Sequence, residues 1–357
     1  MIRVPDFYCP IPANVSPHSD DAERVVVDWL TDFSLAESEA QRLYFARSRF
    51  PNFPGRALPS ARPDLLPLAG KEVMWLQSFD DVHSDEPTGG TSVDDFVVLL
   101  SKLTRVIEDP DTPLLRDNPW ARALRDLRLS IGKAATPAQT DRWVQAHIDY
   151  FQGLLWEAVQ RARGHLPGVD DYVNMWLKQS GVLPCIVFTD IACGYELPAD
   201  LWADPRVRRL REMVTVIIGW DNDLTSYDKE VHRAVERGLP AVENLVAVVA
   251  AERGCVVDEA VRVVGVMRDR AVRLFVRLRD DLAAENAELA RYAHGLGQWI
   301  RAYLDYSGRS PRYTDPTNPD DATVSARRPE GWRITAVEPP VDEAVLPALP
   351  SISSWWG

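Results

Sequence analysis

Three oxygen-bearing side chains fall on one stripe of a predicted helix in the segment IIGWDNDLTSYDKE, residues 217–230. Asn222, Ser226 and Glu230 follow one another at intervals of four, so at ~100° per residue they drift by only ~80° in total. An amide oxygen, a hydroxyl and a carboxylate are hard donors that Mg²⁺ accepts, and one ion could touch all three. Lys229 lies within ~20° of Asn222 on the same helical wheel, where it could hold a phosphate oxygen.

A second acidic group follows an apolar run in WLQSFDDVHSDEP, residues 75–87, where Asp80 and Asp81 precede Asp85. Asp80 shares a helix face with Leu76, so it is expected to point with the apolar stripe toward the core. A carboxylate there costs several kcal/mol unless a cation meets it. A lone Asp pair is more often a solvated helix end. The presence of two such motifs favours a metal site.

Composition limits the classes of function. The chain has 357 residues, 46% of them hydrophobic, which is enough to bury a large core. Its net charge of −13 attracts cations and repels phosphate backbones, so a nucleic acid partner is not expected. The four cysteines lack the spacing of a zinc site or a disulfide framework. With no apolar run near ~20 residues and no signal pattern, we expect a cytoplasmic protein without a membrane span, either a monomer or a homodimer.

The elements that must position these residues are helical, because the apolar period is close to 3.6 throughout and alternating strand patterns are nearly absent. Besides a helix after Ser19 and one over 93–109, helices are predicted near 38–49, 64–84, 116–132, 138–163, 205–232, 240–253, 257–284 and 286–307. The fold class predicted is all-α, a single-domain helical bundle. We place that domain at 21–313, after a Pro-rich N-terminal segment, 1–20. A Pro-rich tail, 314–357, is expected to be either disordered or draped over the body as a lid.

Together these features resemble the bacterial class I terpene synthases. Three motifs of that family are matched, in order: the aspartate-rich motif, the metal-binding triad and a pattern near the end of the last helix. The matching residues are Asp80, Asp81 and Asp85 for D-D-x-x-x-D/E; Asn222, Ser226 and Glu230 for N-D-x-x-S-x-x-x-E; and Ser307, Arg312 and Tyr313 for W-S-x-x-x-x-R-Y, in which Tyr306 replaces the Trp.

The resemblance implies a class I isoprenoid synthase bundle whose cavity opens between the two acidic stripes. Three Mg²⁺ ions would clamp the diphosphate of a linear prenyl substrate, with Arg312, Tyr313 and Lys229 as further contacts. The enzyme would ionise the substrate and cyclise the carbocation to a terpene hydrocarbon or alcohol, releasing diphosphate. Farnesyl diphosphate is favoured as the substrate, with geranylgeranyl diphosphate a close second.

Two alternatives remain open at this point. A chain-elongating all-α prenyltransferase shares the bundle and the metal chemistry, but normally repeats an aspartate-rich motif on the second stripe. A non-catalytic prenyl-diphosphate-binding helical protein could keep the fold after losing ionisation.

Helical phase selects the expected walls of a dry, apolar cavity. The residues are Leu76, Phe79, Trp176, Gly181, Thr215, Ile218, Gly219, Trp299, Tyr303 and Tyr306. Gly219 is expected to leave room for the substrate beside the metal stripe. Trp220 lies ~160° from Asn222 and is assigned to helix packing.

One position departs from the family pattern. The family usually carries a diphosphate-sensing Arg forty-six residues before the triad Asn, and Trp176 stands there. An indole cannot neutralise a diphosphate. Lys178 is the nearest cation, but it points ~200° away unless the helix unwinds at Gly181. Three alternatives follow. Trp176 lines the cavity, or Lys178 binds the diphosphate in place of the missing Arg after local unwinding, or Trp176 is an ordinary core residue.

Overall fold

Helices dominate the computed structural model, which describes residues 2–36, 42–43, 45, 52–83, 92–238, 242–310, 313, 331–339 and 346–356. The helices are α1 (Ser19–Asp32), α2 (Phe53–Ala57), α3 (Leu66–His83), α4 (Val93–Glu108), α5 (Pro119–Ala134), α6 (Pro137–Arg163), α7 (Val169–Gln179), α8 (Val182–Ile186), α9 (Phe188–Ile191), α10 (Ala199–Ala203), α11 (Pro205–Arg237), α12 (Leu245–Arg253), α13 (Val257–Glu285) and α14 (Ala287–Ser307). The all-α prediction is confirmed.

Side-chain caps set several helix starts. Asn118, Asp204, Asn244 and Asn286 each accept a hydrogen bond from a backbone N–H in the first turn of α5, α11, α12 and α14. The cap at Asn244 explains why α12 begins five residues after the start predicted at 240. The predicted helix at 38–49 falls mostly outside the described residues, and α7 was not among the predicted helices.

The chain divides into two compact units. The first comprises Met1–Ala13, Arg163–Leu177 and Asp200–Gly357, and the second comprises Asn14–Ala162 and Lys178–Ala199. The domain boundaries expected at residues 20 and 313 stay a prediction.

The first unit is built around α11, α13 and α14, which pack against one another, with α12 against α13. Arg268 of α13 is 1% exposed, and its Nε donates to Asp221 Oδ1 at 2.7 Å. Its Nη1 also donates to the carbonyl oxygen of Tyr8. A buried ion pair of this kind is stable only when further hydrogen bonds satisfy the guanidinium. Arg268 thus joins the N-terminal segment to the residue that precedes Asn222.

The described parts of the C-terminal tail pack on the first unit. A strand β2 (Ile334–Thr335) pairs in parallel with β1 (Phe7–Tyr8), a short ladder that no sequence pattern indicated. Farther along, Trp355 of a 3₁₀ turn over Pro350–Trp355 donates from its indole N–H to Glu212 Oε2 at 3.2 Å. Of the two alternatives for the tail, residues 331–339 and 346–356 follow the draped one. Residues 314–330 and 340–345 lie outside the described residues.

In the second unit α3 is the central element, packed by α1, α2 and α5. Trp75 stacks on Phe79 with ring centroids 4.8 Å apart, and its indole N–H donates to the carbonyl oxygen of Trp120. Helix α3 is buried on most of its circumference, and its Glu72 is fully buried where the indole N–H of Trp143 donates to Glu72 Oε2 at 3.1 Å.

Within the described ranges, no helix is long and apolar enough to span a membrane. All four cysteines are free thiols in the structure.

Candidate active site

The predicted stripe lies on α11, which continues as one helix from Pro205 to Arg237 and so preserves the intervals of four. Asn222 and Glu230 are half-buried, whereas Ser226 is fully buried. Ser226 Oγ makes no hydrogen bond to any residue that the structure describes. A buried hydroxyl without a partner costs about 1–3 kcal/mol, so this oxygen is suited to a ligand that is not part of the chain.

Two tyrosines fix the orientation of Asn222. Its Nδ2 donates to the phenol oxygens of Tyr303, at 2.9 Å, and Tyr313, at 3.1 Å. These bonds occupy the amide nitrogen and leave the carbonyl oxygen as the atom on the stripe that could bind a cation. Burial raises the pKa of Tyr303 well above 10, so its phenol stays protonated. Sequence reasoning placed Tyr303 in the cavity wall and missed this hydrogen bond.

Asn244 performs the corresponding role for Glu230. Its Nδ2 donates to Glu230 Oε2 at 2.8 Å and to the carbonyl oxygen of Asp223 at 2.9 Å. Its Oδ1 accepts from the N–H of Val246 at the start of α12. Asn244 is fully buried, so the helix cap and the carboxylate are held by one rigid side chain. Sequence reasoning missed Asn244; the only available signal was an Asn before the apolar run LVAVVAAER.

A buried carboxyl group lies behind the stripe. Tyr172 of α7 donates to Asp223 Oδ1 at 2.9 Å, and both residues are buried. Burial, followed by the negative charge of Glu230, raises the pKa of Asp223 well above 3.8. Asp223 is thus a buried carboxyl group that is held by α7 and lies off the stripe formed by Asn222, Ser226 and Glu230.

Replacing Asn244 by Ala is expected to raise the Mg²⁺ concentration needed for half-maximal turnover by about 10–100-fold, because the bond that orients Glu230 is lost. Loss of the cap should also cost about 1 kcal/mol of unfolding free energy. Asn118→Ala is the matched control, since Asn118 caps α5 in the same way without contacting the triad. Metal titrations and chemical denaturation of both variants check this. An unchanged metal requirement in Asn244→Ala would contradict the positioning role.

Lys229 and Tyr313 lie beside the triad, and their contact with a diphosphate stays a prediction. Lys229 is 3% exposed, and its Nζ lies 5.7 Å from the centroid of the Tyr313 ring. Tyr313 also meets Tyr303 and Tyr306 at centroid distances of 6.4 Å and 6.0 Å. Arg312 lies outside the described residues, so its contact with a diphosphate stays a prediction.

Trp176 occupies the space that Gly219 was expected to leave for substrate. A Cβ placed on Gly219 would lie 2.7 Å from Cε3 of the Trp176 ring, so only glycine lets the indole approach α11 here. Trp176 is half-buried, with its ring near that of Tyr172 on the same helix. The expectation for Gly219 is therefore corrected, because the space belongs to an aromatic side chain of the protein.

The other expected cavity residues of the first unit are buried. Thr215, Ile218, Trp299 and Tyr306 are exposed by 5% or less. The Thr215 hydroxyl donates to the Arg211 carbonyl of its own helix, so it is not free for a ligand. Their assignment to a substrate cavity stays a prediction.

In the second unit the aspartate-rich motif ends α3. Asp81 is 8% exposed and accepts from Gln77 Nε2 at 3.0 Å, whereas Asp80 is half-buried. The phase predicted from sequence made Asp80 the inward carboxylate, and the structure buries Asp81 more deeply because α3 is apolar on most sides. Burial lowers the pKa of His83 to about 4, so its ring adds no positive charge there at neutral pH. Asp85 lies outside the described residues.

The end of α7 shows the break that the sequence indicated. Gly181 adopts a left-handed φ of 67°, and its Cα faces Leu76 and Tyr150, which would lie 3.7 Å from a Cβ. Lys178 Nζ donates to Gln152 Oε1 at 2.7 Å and to Asp149 Oδ1 at 3.4 Å. These α6 side chains hold the ammonium in this structure. The hypothesis that Lys178 replaces the missing Arg stays a prediction.

The donor types match a hard divalent cation. Among the described residues, no three or more His, Cys, Asp or Glu side chains cluster as a metal site. The α11 stripe does not need such a cluster, because two of its three donors are an amide and a hydroxyl.

Comparison with known proteins agrees with these motifs. The family model "Terpene synthase family 2, C-terminal metal binding" matches residues 71–274, more than half of the chain. A (+)-(1(10)E,4E,6S,7R)-germacradien-6-ol synthase of Streptomyces pratensis is 34% identical over 99% of this chain and 96% of its own. A (+)-T-muurolol synthase of Streptomyces clavuligerus, described as (2E,6E)-farnesyl diphosphate cyclizing, is 31% identical over 98% and 81%.

Among solved structures, the SVS_A2 protein from ancestral sequence reconstruction aligns with a TM-score of 0.81 and 28% identity. The alignment covers 99% of this chain and 98% of that one. Neither a prenyltransferase nor a non-catalytic binding protein is supported by these matches. The family model implies use of a divalent metal ion. The chain therefore belongs to the bacterial class I terpene synthases and is a terpene cyclase.

Proposed function

We propose that this cyclase ionises farnesyl diphosphate in a Mg²⁺-dependent step, releases diphosphate and closes the carbocation to a sesquiterpene hydrocarbon or alcohol. The observation that carries the proposal is the α11 stripe, in which the amide oxygen of Asn222, the free hydroxyl of Ser226 and the carboxylate of Glu230 face one side. The farnesyl assignment is supported by the muurolol synthase relative, which is described as farnesyl diphosphate cyclizing. Geranylgeranyl diphosphate is the second candidate, and a cytoplasmic location remains a prediction.

The proposed site residues fall into metal-binding and diphosphate-binding groups. Asn222, Ser226 and Glu230 would hold a divalent cation, and Asp80, Asp81 and Asp85 would supply the carboxylates for the others of a predicted set of three. When bound, such ions neutralise the negative charge that develops on the diphosphate as the allylic carbon–oxygen bond breaks. Lys229, Arg312 and Tyr313 are proposed to contact the diphosphate directly.

The aromatic residues near the stripe are proposed to protect the reaction from water. The phenol oxygens of Tyr303 and Tyr313 accept hydrogen bonds from Asn222, and the two rings pack edge to face. A carbocation in a dry site is stabilised by ring faces by about 2 kcal/mol or more each. Trp176 has an uncharged indole at the position where the family pattern has an Arg. We therefore propose that this side chain contacts the hydrocarbon part of the substrate and not the diphosphate.

Purified protein should convert farnesyl diphosphate to a volatile product only when Mg²⁺ is present. The test incubates it with geranyl, farnesyl and geranylgeranyl diphosphates, with Mg²⁺ or with EDTA. Volatiles are identified by gas chromatography–mass spectrometry, and released diphosphate is quantified. Product from geranylgeranyl diphosphate alone would replace the farnesyl assignment. Product in EDTA would refute the metal mechanism.

A further inference from the structure

A cavity of about 940 Å³ lies in the first unit, between α13 and the C-terminal residues 346–356. It is large enough for a small organic ligand. Trp220 contributes to its wall from α11, on the face ~160° away from Asn222. None of the lining residues belongs to the triad or to the hydrogen bonds that orient it.

One wall of the cavity is positively charged. Arg270, Arg273 and Arg277 are spaced by three and four on α13, so they share a face. Arg273 pairs with Glu338 at 2.8 Å, and the Arg270 guanidinium lies 4.1 Å over the Trp356 ring. Arg277 is exposed and forms no ion pair with any described residue. Two described carboxylates, Glu338 and Asp269, interact with Arg273, and no ion pair is formed by Arg270 or Arg277 with a described residue.

The rest of the cavity lining is mostly apolar. Trp220 and Met267 contribute to it from α11 and α13, and Leu346, Leu349 and Trp356 contribute from the C-terminal residues. Ser353 adds one hydroxyl. The apolar body of a ligand would be removed from water against these side chains.

We propose that this cavity binds a small amphipathic anion, with a phosphate or carboxylate head on Arg270 and Arg277 and an apolar body against Trp220 and Trp356. Arginine forks suit both kinds of head, because each presents two oxygens in a plane. The proposal rests on no residue of the cyclisation site. It predicts binding that needs no Mg²⁺.

The test titrates the full-length protein in EDTA with decyl phosphate, decanoate, inorganic phosphate or neutral octyl glucoside, and follows heat and tryptophan fluorescence. Decyl phosphate and decanoate should bind saturably, and their relative affinity identifies the preferred head. Inorganic phosphate should bind at least about tenfold more weakly, because it lacks the apolar body. Equal binding of octyl glucoside, or no binding of either anion, would overturn the proposal.

Variants locate the site. Arg277→Ala should weaken decyl phosphate binding by about tenfold through loss of a charge-assisted contact. Arg208→Ala is the matched control, an exposed arginine of α11 outside the cavity, and should leave the affinity unchanged. Trp356→Ala removes the apolar ring beside the Arg270 guanidinium, so it should weaken decyl phosphate binding while circular dichroism stays unchanged. Equal affinities in wild type, Arg277→Ala and Trp356→Ala would refute the assignment.

The chain itself offers two competing carboxylates. Asp342 and Glu343 lie outside the described residues, between the tail segments that end at Pro339 and begin at Leu346. The double substitution Asp342→Asn with Glu343→Gln tests whether these carboxylates serve the arginines. Binding by the wild type supports a ligand site. Binding by the double variant alone would mean that the tail neutralises the arginines, and the proposal would be wrong.

Discussion

Asn222→Ala and Glu230→Ala are each expected to lose about a thousandfold or more of terpene formation while keeping the wild-type helix content. Each substitution removes an oxygen donor from the α11 stripe, and a bound metal ion is worth several kcal/mol to the transition state, at ~1.4 kcal/mol per tenfold in rate. Because both side chains are half-buried on a continuous helix, alanine creates little cavity and the fold should persist. The measurements are product formation, diphosphate release and circular dichroism.

Asn174→Ala is the control for this pair, since it removes an exposed amide from α7, away from the stripe. A second readout separates metal loss from substrate loss. Calorimetric titration of Mg²⁺ in the presence of inorganic diphosphate should show weaker binding in both stripe variants and an unchanged isotherm in Asn174→Ala. Full turnover in Glu230→Ala, or unchanged metal binding in both stripe variants, would contradict the assignment of the stripe.

The stripe itself was predictable because it depends on helical spacing within one segment. Asn222, Ser226 and Glu230 keep their common face wherever the helix runs unbroken, and α11 runs unbroken past all three. The helix break at Gly181 was also visible, since a Gly followed by a nearby Pro is a local signal.

The residues that hold the stripe in place were not predictable, since they come from other elements. Asn244 reaches Glu230 from the start of α12, and Tyr303 reaches Asn222 from α14. Their positions depend on how the helices pack, and residue spacing along one helix does not determine that packing. For the same reason, the contact between Gly219 and the Trp176 ring of a neighbouring helix was not predictable. The pairing of the N-terminal strand with the strand of the tail was not predictable either.

Arg312→Ala is expected to reduce turnover by about a hundredfold or more, because few other cations remain for the diphosphate. Trp176 carries no charge, and Lys178 is held by Gln152 and Asp149. Lys229 lies beside the triad, with its Nζ 5.7 Å from the centroid of the Tyr313 ring. Removing one preorganised donor that points at developing negative charge lowers the rate by about 10²–10³-fold. Arg312→Lys should recover part of the loss, since it restores the charge without the bidentate fork.

Parallel measurements on Trp176→Phe and Lys178→Ala decide what replaced the missing sensor. The indole lies against Gly219 on α11, three residues before Asn222, so we expect Trp176→Phe to keep ionisation and change the product ratio. Lys178→Ala should leave turnover near the wild-type value, because its ammonium is already bound by α6 side chains. Lost turnover in Lys178→Ala would instead identify Lys178 as the substitute sensor, released from Asp149 when diphosphate arrives. Wild-type products from both variants would make Trp176 an ordinary packing residue, and the whole charge of the diphosphate would then rest on Arg312, Lys229 and the metal ions.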